Sequence, residues 1–394
     1  MQKSKSKNRR ESSKDKISGK EDVSIVKCKD YVLDDVKFNI RQALEQLGGI
    51  RKIFSKEDSV LIKPNLLAAK KPEDGVTTHP AMVEAVVEIL QEYGIKDIAV
   101  GDSPALDSAR KALESSGIKA VCERHGVTML EFKKSRKVHS KKNTVVKEFS
   151  VAKEVIEYDK IINLPKMKTH SFTMFTGATK NIFGFIVGKA KVMFHMRHRD
   201  PLDFSEMLLD LNNVIKPSLT IMDGISGMEG NGPSGGEVRN FGVLIAGTNA
   251  LAVDSCATEL MGMNKVPIVI AARKRRLPGA QMKEIRVYGE NIDDIRFHDV
   301  KLPNIGMIST ARGIFSKMRK VTARRPVIIE ERCISCRRCH EICPADAITM
   351  VDNKIDEKDK TKVPSIDYKR CIRCYCCHEV CPVKAIELKR VSLH

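Results

Sequence analysis

The sequence predicts two domains: an α/β domain with a largely parallel or mixed sheet, followed by a small α+β domain. Three observations indicate this. The 394 residues suffice for more than one domain, strand-like and helix-like segments alternate from Asp22 onward, and nine of the twelve cysteines fall between Cys333 and Cys381. We therefore expect a disordered basic tail (1–21), an α/β domain (22–312), a basic linker (313–326) and a cysteine-dense domain (327–394).

The predicted α/β elements follow from apolar patterns and their end signals. Val23–Cys28 is predicted as the first strand, and Asp34 as the cap of a helix that runs to about Leu47 and stops at two glycines. A second helix opens at Pro80, because proline is favourable in the first helical turn. The other predicted elements are the strands Ser59–Lys63, Ile98–Gly101, Lys160–Asn163, Leu219–Asp223 and Val238–Ala246, and the helices Ser108–Ser116 and Asn249–Gly262.

Polar residues follow several of these strands directly. In open α/β sheets the carboxyl ends of the strands meet at one edge, and ligands bind there. We therefore expect one crevice that suits an anionic substrate, with acid and imidazole groups that move protons or bind a metal. Its candidate catalytic residues are Lys63, Asp102, Lys166, Lys168 and His170, with His79 and Asp223 as further members. The alternative for each residue alone is that it caps a helix or faces water.

Six glycines lie between residues 223 and 237. Three of them, Gly230, Gly232 and Gly235, match the spacing of the dinucleotide fingerprint. However, Pro233 lies inside the motif, and a strand pattern follows where the fingerprint requires a helix. We therefore interpret the segment as a flexible loop that is a candidate to close over the crevice. The sequence contains no P-loop and no G-x-S-x-G motif.

Two cysteine runs in the second domain have the same spacing, C-x2-C-x2-C-x3-C-P. The first run consists of Cys333, Cys336, Cys339 and Cys343, and the second of Cys371, Cys374, Cys377 and Cys381. This is the bacterial ferredoxin pattern, in which the fourth cysteine of a run binds the cluster of the other run. The predicted ligands are therefore Cys333, Cys336, Cys339 and Cys381 for one 4Fe-4S cluster, and Cys371, Cys374, Cys377 and Cys343 for the other.

The alternative for these runs is a pair of zinc sites, which usually separate two C-x2-C pairs by a longer insert. Cys376 interrupts the second run. Using it in place of Cys377 would break both intervals, so we interpret it as a non-ligand thiol. A strand pattern follows each run, and the segment between them predicts a hairpin and an exposed loop. Over about residues 325–390 the chain resembles the two-cluster bacterial-type ferredoxins, which implies an electron carrier of low potential.

The motifs of the first domain resemble a second family. In order they are Lys63-Pro64-Asn65-Leu66, Thr77-Thr78-His79-Pro80, Gly101-Asp102-Ser103-Pro104, Asn163-Leu164-Pro165-Lys166-Met167-Lys168-Thr169-His170 and Asp223-Gly224. Over about residues 22–310 the chain resembles the family catalogued as domain of unknown function 362, whose members often carry a C-terminal ferredoxin module. The resemblance implies an iron–sulfur protein and supplies no reaction.

Composition and charge narrow the function classes. The chain is 42% hydrophobic, with no secretory signal and no apolar stretch near the roughly 18 residues of a membrane span, so we expect a cytoplasmic protein. The first hypothesis is electron transfer through two 4Fe-4S clusters, to or from the α/β domain or a redox partner protein. The second is a reductase or other enzyme that acts on an anionic small molecule. The third is nucleic-acid binding with structural clusters. It ranks last, because the excess of 69 Lys and Arg over 50 Asp and Glu is accompanied by no base-reading motif.

Overall fold

The computed structural model describes residues 19–104, 107–188, 190–303, 324–352 and 362–390. Most of the predicted basic tail and residues 313–323 of the predicted linker therefore lie outside the described residues. The first strand begins at Glu21, and the first strand of the cysteine-dense domain begins at Arg325. The predicted domain boundaries, at residues 22 and 327, stay predictions.

A single large sheet organises the first domain. The strands of this domain are β1 (Glu21–Lys27), β2 (Val60–Pro64), β3 (Ile98–Asp102), β4 (Thr128–Glu131), β5 (Ser135–His139), β6 (Glu148–Ala152), β7 (Lys160–Leu164), β8 (Lys166–His170), β9 (Met174–Thr176), β10 (Leu219–Glu229), β11 (Glu237–Gly247) and β12 (Ile285–Gly289). The sheet order is β12-β1-β11-β10-β7-β2-β3-β4, with β8 beside β10 and β9 beside β8, while β5 and β6 form a separate hairpin. Along the main path every pair is parallel except those of β11, which is antiparallel to β1 and β10. The predicted largely parallel sheet is confirmed.

Helices cover both faces of this sheet. They are α1 (Leu33–Gln46), α2 (Pro80–Tyr93), α3 (Ala109–Ser115), α4 (Ile118–His125), α5 (Glu154–Glu157), α6 (Ala178–Asn181), α7 (Ala190–Arg197), α8 (Pro201–Ile215), α9 (Ala250–Leu260), α10 (Pro267–Lys274) and α11 (Ile292–Ile295). Successive strand residues point to opposite faces. Accordingly, Val60 and Ile62 pack in one core with α1 and α2, and Leu61 packs in the other with α8 and α9. Burial on both faces explains the continuous apolar runs of the parallel strands.

The ends of two elements differ from the sequence prediction. Helix α1 begins at Leu33, so Asp34 lies in its first turn and its predicted role as the cap is wrong. A carboxylate in the first turn still interacts favourably with the helix dipole. Strand β10 continues to Glu229, beyond its predicted end at Asp223, because β11 pairs with it as far as Glu237.

The second domain is a small α+β unit with two similar halves. Its elements are β13 (Arg325–Ile328), α12 (Arg338–Glu341), β14 (Ile348–Asp352), β15 (Lys362–Ile366), α13 (Cys376–Glu379) and β16 (Ile386–Lys389). β13 pairs with β16, and β14 and β15 form the predicted hairpin, whose loop at 353–361 lies outside the described residues. One core cluster of this domain contains Ile348 and Ile386 together with cysteines. So small a core predicts that folding depends on what the cysteines bind.

Candidate functional site

The two cysteine runs fold into loops with the same local structure. Ser335 and Arg337 in the first loop, and Arg373 and Tyr375 in the second, have φ between 54° and 65°. These left-handed conformations turn the backbone sharply between successive cysteines. Each loop then enters a one-turn helix, α12 or α13, at the same position in its run. The repeated spacing in the sequence therefore corresponds to a repeated backbone path.

The cysteine side chains line two cavities. The outer thiol cavity is lined by Cys333, Cys336, Cys339 and Cys381. The inner thiol cavity is lined by Cys343, Cys371, Cys374 and Cys377. Each cavity takes three thiols from one run and the fourth from the other. Four thiols around one cavity fit the donor set of a 4Fe-4S cluster, and ligation by these eight residues stays a prediction.

Backbone amides support the fourth thiol of each run. Ala347 N donates a hydrogen bond to Cys343 Sγ at 3.2 Å, and Ala385 N donates one to Cys381 Sγ at 3.1 Å. Donors directed at sulfur favour the negatively charged thiolate, the form that binds a metal. The two halves therefore prepare their fourth thiols in the same way.

The two thiol cavities differ in their access to solvent. Cys336 of the outer cavity is exposed, whereas Cys374 and Cys377 of the inner cavity are 8% and 7% exposed. Cys374 and Cys376 form a small apolar cluster against which Val192 of α7 packs. The inner cavity therefore has one side against the α/β domain, and the outer cavity has one exposed cysteine.

The glycine-rich loop holds the second domain in place. It forms the tip of the β10–β11 hairpin, where Ser234 Oγ donates to Glu379 O and Gly236 O accepts from Lys384 Nζ at 3.0 Å. At Gly235 a Cβ would lie 2.8 Å from the His378 ring, so only glycine permits this approach. The strand that follows the loop agrees with our rejection of a dinucleotide site. The loop packs against the second domain, and its Pro233 lines the cavity between the two domains, so it has a docking role and its role as a cover stays a prediction.

Lys63 and Asp102 form a buried ion pair at the carboxyl ends of β2 and β3. Lys63 Nζ lies 2.8 Å from Asp102 Oδ1, and it also donates to Pro64 O at 2.9 Å and Asn181 Oδ1 at 3.2 Å. Asp102 accepts two backbone N–H groups in addition, each at 2.8 Å. An ammonium has three N–H donors. All three donors of Lys63 are therefore used within the protein.

Lys166 belongs to a second buried network. Its Nζ donates to Tyr31 Oη at 2.7 Å, to Asp223 Oδ2 at 2.8 Å and to Ser226 Oγ at 3.2 Å. Tyr31 Oη donates to Asp223 Oδ1 at 2.7 Å, and burial with this carboxylate nearby raises the pKa of Tyr31. The His79 ring stacks on Tyr31 at 3.6 Å, and burial lowers the pKa of His79 to about 4. This network also uses all three donors of its lysine.

Lys168 and His170, on β8, are the predicted residues that approach the second domain. Lys168 Nζ donates to Asn65 Oδ1 at 2.8 Å and to Val76 O at 2.6 Å, so one N–H remains available. His170 Nδ1 accepts from a backbone N–H at 3.0 Å, which leaves the proton on Nε2. That Nε2 lies 3.4 Å from Glu379 Oε1. Burial lowers the pKa of both side chains.

A cavity lies between the domains, and we call it the interdomain cavity. Its lining includes Lys63, Asp102, Lys168, Lys180, Lys191 and His195 from the first domain, and Ile342, Cys376, Glu379 and Val380 from the second. Three of the five predicted catalytic residues therefore line it. Lys166 and His170 are not among the lining residues, although His170 contacts the lining residue Glu379.

Sequence reasoning did not select three of the lining residues. Lys191 Nζ donates to Ser103 O, and burial lowers the pKa of Lys191 to about 7. His195 is 7% exposed, and its Nδ1 has no hydrogen-bond partner among the described residues. Lys180 lies in a stretch between two glycines, and Gly184 approaches so closely that a Cβ there would lie 2.6 Å from Lys63 Nζ. The glycines of this stretch, together with its Met, Phe and His residues, are the sequence signal for this part of the site.

Comparisons with known proteins agree with the two-part organisation. A family model described as "Domain of unknown function (DUF362)" matches residues 60–259, and one described as "4Fe-4S dicluster domain" matches residues 332–385. A thylakoid-associated protein of Synechocystis sp. is 35% identical over 256 residues, which cover 65% of this chain and 79% of that protein.

One solved structure that the comparison with known structures found is the lactate racemase apoprotein of Thermoanaerobacterium thermosaccharolyticum. It has a TM-score of 0.42 and 10% sequence identity, and the alignment covers 64% of this chain and 58% of that chain, less than two thirds of its length. Among the residues that the structure describes, no helix is long and apolar enough to cross a membrane.

Proposed function

This chain belongs to the family of domain of unknown function 362 and carries a ferredoxin-type 4Fe-4S domain, and from that premise we propose that it transfers electrons through two 4Fe-4S clusters. A bound cluster supplies one-electron transfer. Cys333, Cys336, Cys339 and Cys381 would hold one cluster in the outer thiol cavity, and Cys343, Cys371, Cys374 and Cys377 would hold the other in the inner one.

The observation that carries this proposal is the wall of the interdomain cavity. Cys376 and Glu379 line that cavity, and they belong to the same loop and helix as Cys374 and Cys377 of the inner thiol cavity. A molecule in the interdomain cavity would therefore lie against the segment that holds the inner cluster. Electron transfer to or from the α/β domain requires this proximity.

The exposure of the outer thiol cavity supports a redox partner protein. Cys336 and Arg337 are exposed at this cavity, and Ile334 beside them is 60% exposed. A partner at this surface would exchange electrons with the outer cluster, and the inner cluster would connect it to the interdomain cavity. Electrons would thus follow one route, from the partner protein through the outer and inner clusters to the interdomain cavity.

Anaerobic reconstitution with iron and sulfide counting, combined with EPR of the reduced protein, tests the proposal. We expect about eight iron atoms per chain and the signals of two interacting cubane clusters. Cys374→Ala should reduce the count to about four, whereas Cys376→Ala, the matched control in the same loop, should keep about eight. A chain that takes up zinc and shows no visible absorbance would refute the proposal.

A second candidate function is that of an oxidoreductase acting on an anionic small molecule. Lys168, Lys180 and Lys191 line the interdomain cavity, and within the described residues none of them forms an ion pair with a carboxylate. Lys168 is the predicted catalytic residue best placed to act on a ligand, and His170 contacts the lining residue Glu379. Lys63 and Lys166, each held by its own carboxylate partner, would order the edge of the sheet instead.

A spectrophotometric screen tests this second function. Reduced methyl viologen would supply electrons to the reconstituted protein in the presence of small carboxylates and phosphate esters. We expect Lys168→Met to abolish any viologen oxidation that a substrate stimulates, with the iron content unchanged. Stimulated oxidation that survives Lys168→Met would contradict this role for the cavity.

We also propose that the chain works in the cytoplasm, as its cysteine usage predicts. The relative in Synechocystis sp. is described as thylakoid-associated, so the chain is to be sought at membrane surfaces as well. Fractionation of cells, with immunodetection of the chain in the soluble and membrane fractions, tests this location. Recovery only in an extracellular fraction would contradict it.

A further inference from the structure

We propose that the interdomain cavity binds a small organic dianion, a dicarboxylate or a phosphate monoester, between Lys168, Lys180 and Lys191. This inference rests on the proposed function, since it names the ligand class of the same cavity. It follows from a count of donors, a count of charges and the character of the remaining lining. Each is taken from the described residues.

The count of donors separates the lysines at this edge into two groups. Lys63 and Lys166 use all three N–H donors within the protein, so they have none for a ligand. Lys168 keeps one N–H, and Lys191, which donates to Ser103 O, keeps two. Lys180 lines the cavity with no hydrogen bond or ion pair to any described residue.

The charges of the cavity do not balance among the described residues. Asp102 is neutralised by Lys63, so Glu379 is the remaining acid against Lys168, Lys180 and Lys191. With these lysines protonated, the cavity has a net charge of about +2. A ligand with two negative charges would neutralise it, and a ligand with one would leave a buried cation without a counter-charge.

Burial makes this imbalance costly. Desolvation lowers the pKa of Lys168, Lys180 and Lys191, which means that the cavity without a ligand disfavours their charged forms. A bound anion would reverse that effect, because opposite charge at short range favours the ammonium form. For the other two buried lysines the protein itself supplies the carboxylate: Asp102 pairs with Lys63, and Asp223 pairs with Lys166. Under the proposed function the inner cluster adds negative charge behind the wall that Cys376 forms, which offsets part of this charge, and a counter-charge inside the cavity itself would come from a ligand.

The remaining lining limits the rest of the ligand. Leu66, Phe183, Val192, Ile342 and Val380 give the cavity apolar walls, as in sites that bind small organic molecules. His195 offers an unpartnered and nearly buried Nδ1 to a further polar group. A short carbon skeleton with two anionic ends, or with one doubly charged phosphate, fits these features.

Calorimetric titration of the reconstituted full-length protein tests the inference. The probes are succinate and inorganic phosphate, with acetate and butane-1,4-diol as controls of lower charge. We expect succinate or phosphate to bind at least about tenfold more tightly than acetate, and the diol not to bind. The better of the two probes identifies the source of the dianion. Binding should also change the EPR signal of the inner cluster, because Cys376 of the interdomain cavity lies in the chain between Cys374 and Cys377 of the inner thiol cavity.

Variants decide whether the named lysines form the site. Lys180→Gln should weaken binding of the better probe by about tenfold or more, since a charge-assisted hydrogen bond is lost. Lys133→Gln is the matched control, because 74% of this lysine side chain is exposed, and it should leave the affinity for the probe unchanged. If Lys180→Gln does not fold, Lys191→Gln provides the same test.

The outcomes distinguish this inference from the proposed function. A sample with full iron content that binds neither probe overturns the dianion site and leaves electron transfer intact. A sample with no iron–sulfur cluster that still binds the probe with Lys180-dependent affinity overturns electron transfer and keeps the site. Equal binding of acetate and succinate also overturns the inference.

Discussion

Replacement of Lys63 by methionine should destabilise the α/β domain by about 3–5 kcal/mol, the usual cost of removing one partner of a buried pair. Lys63 and Asp102 are 1% and 3% exposed, and their charges lie 2.8 Å apart. In Lys63→Met the Asp102 carboxylate would keep two backbone N–H donors but lose its counter-charge. Because domains of this kind are stable by about 5–15 kcal/mol, the loss is a large fraction of the total.

Urea unfolding of the α/β domain, followed by circular dichroism, measures this effect as a shift of the midpoint at constant slope. The double variant Lys63→Met/Asp102→Asn removes both charges, so it should recover a substantial part of the lost stability. A single variant within about 1 kcal/mol of the wild type would refute the reasoning, because it would mean that Asp102 remains hydrated. A double variant that is less stable to urea than the single variant would refute the reasoning as well.

Three further changes test other parts of the structure. Gly184→Ala would place a Cβ 2.6 Å from Lys63 Nζ and still closer to Asp102 Oδ1. The resulting overpacking should lower the free energy of unfolding by about 1–3 kcal/mol, seen as a lower urea midpoint. An unchanged midpoint would contradict this close packing. His79→Asn keeps an acceptor for the helix N-terminus but removes a group whose pKa burial lowers from 6.5 to about 4. The unfolded chain binds that proton more readily, so wild-type stability should fall as the pH drops from about 6.5 to 4, and a variant with the same slope would contradict this assignment. Asp107→Asn removes the charge that accepts two hydrogen bonds from Arg338 across the domain contact, at 2.8 and 3.1 Å. Amide hydrogen exchange along this contact should become faster, and unchanged exchange would show that the pair does not hold the domains together.

The sequence predicts the local features of this protein well. Spacing determines the cysteine loops, because each loop is built from neighbours in the chain, and the positive φ values recur at matching positions such as Ser335 and Arg373. Helix α2 begins at Pro80 as predicted, because its start signal is local too. The parallel strands follow from their apolar runs, and their carboxyl ends meet where the polar residues were predicted.

The interdomain cavity was beyond sequence reasoning because it depends on how the two domains pack. Lys63 and Lys166 were selected by position, yet their donors are used by partners that only the fold brings near, such as Asp223, 57 residues from Lys166. Lys191 lies on a short helix whose pattern gives no sign of a cavity. The docking role of the glycine-rich loop was equally hidden, since it arises from the approach of Gly235 to His378 in the other domain.

The iron and sulfide content of the anaerobically reconstituted protein, with EPR of its reduced form, tests the central claim most directly. Two crossed ligand sets predict about eight iron atoms per chain and a spectrum of two interacting clusters. Cys343→Ala should then remove the inner cluster, because this residue of the first run lines the inner thiol cavity. A chain that holds one or two zinc atoms, or a Cys343→Ala variant that loses only the outer cluster, would contradict the account.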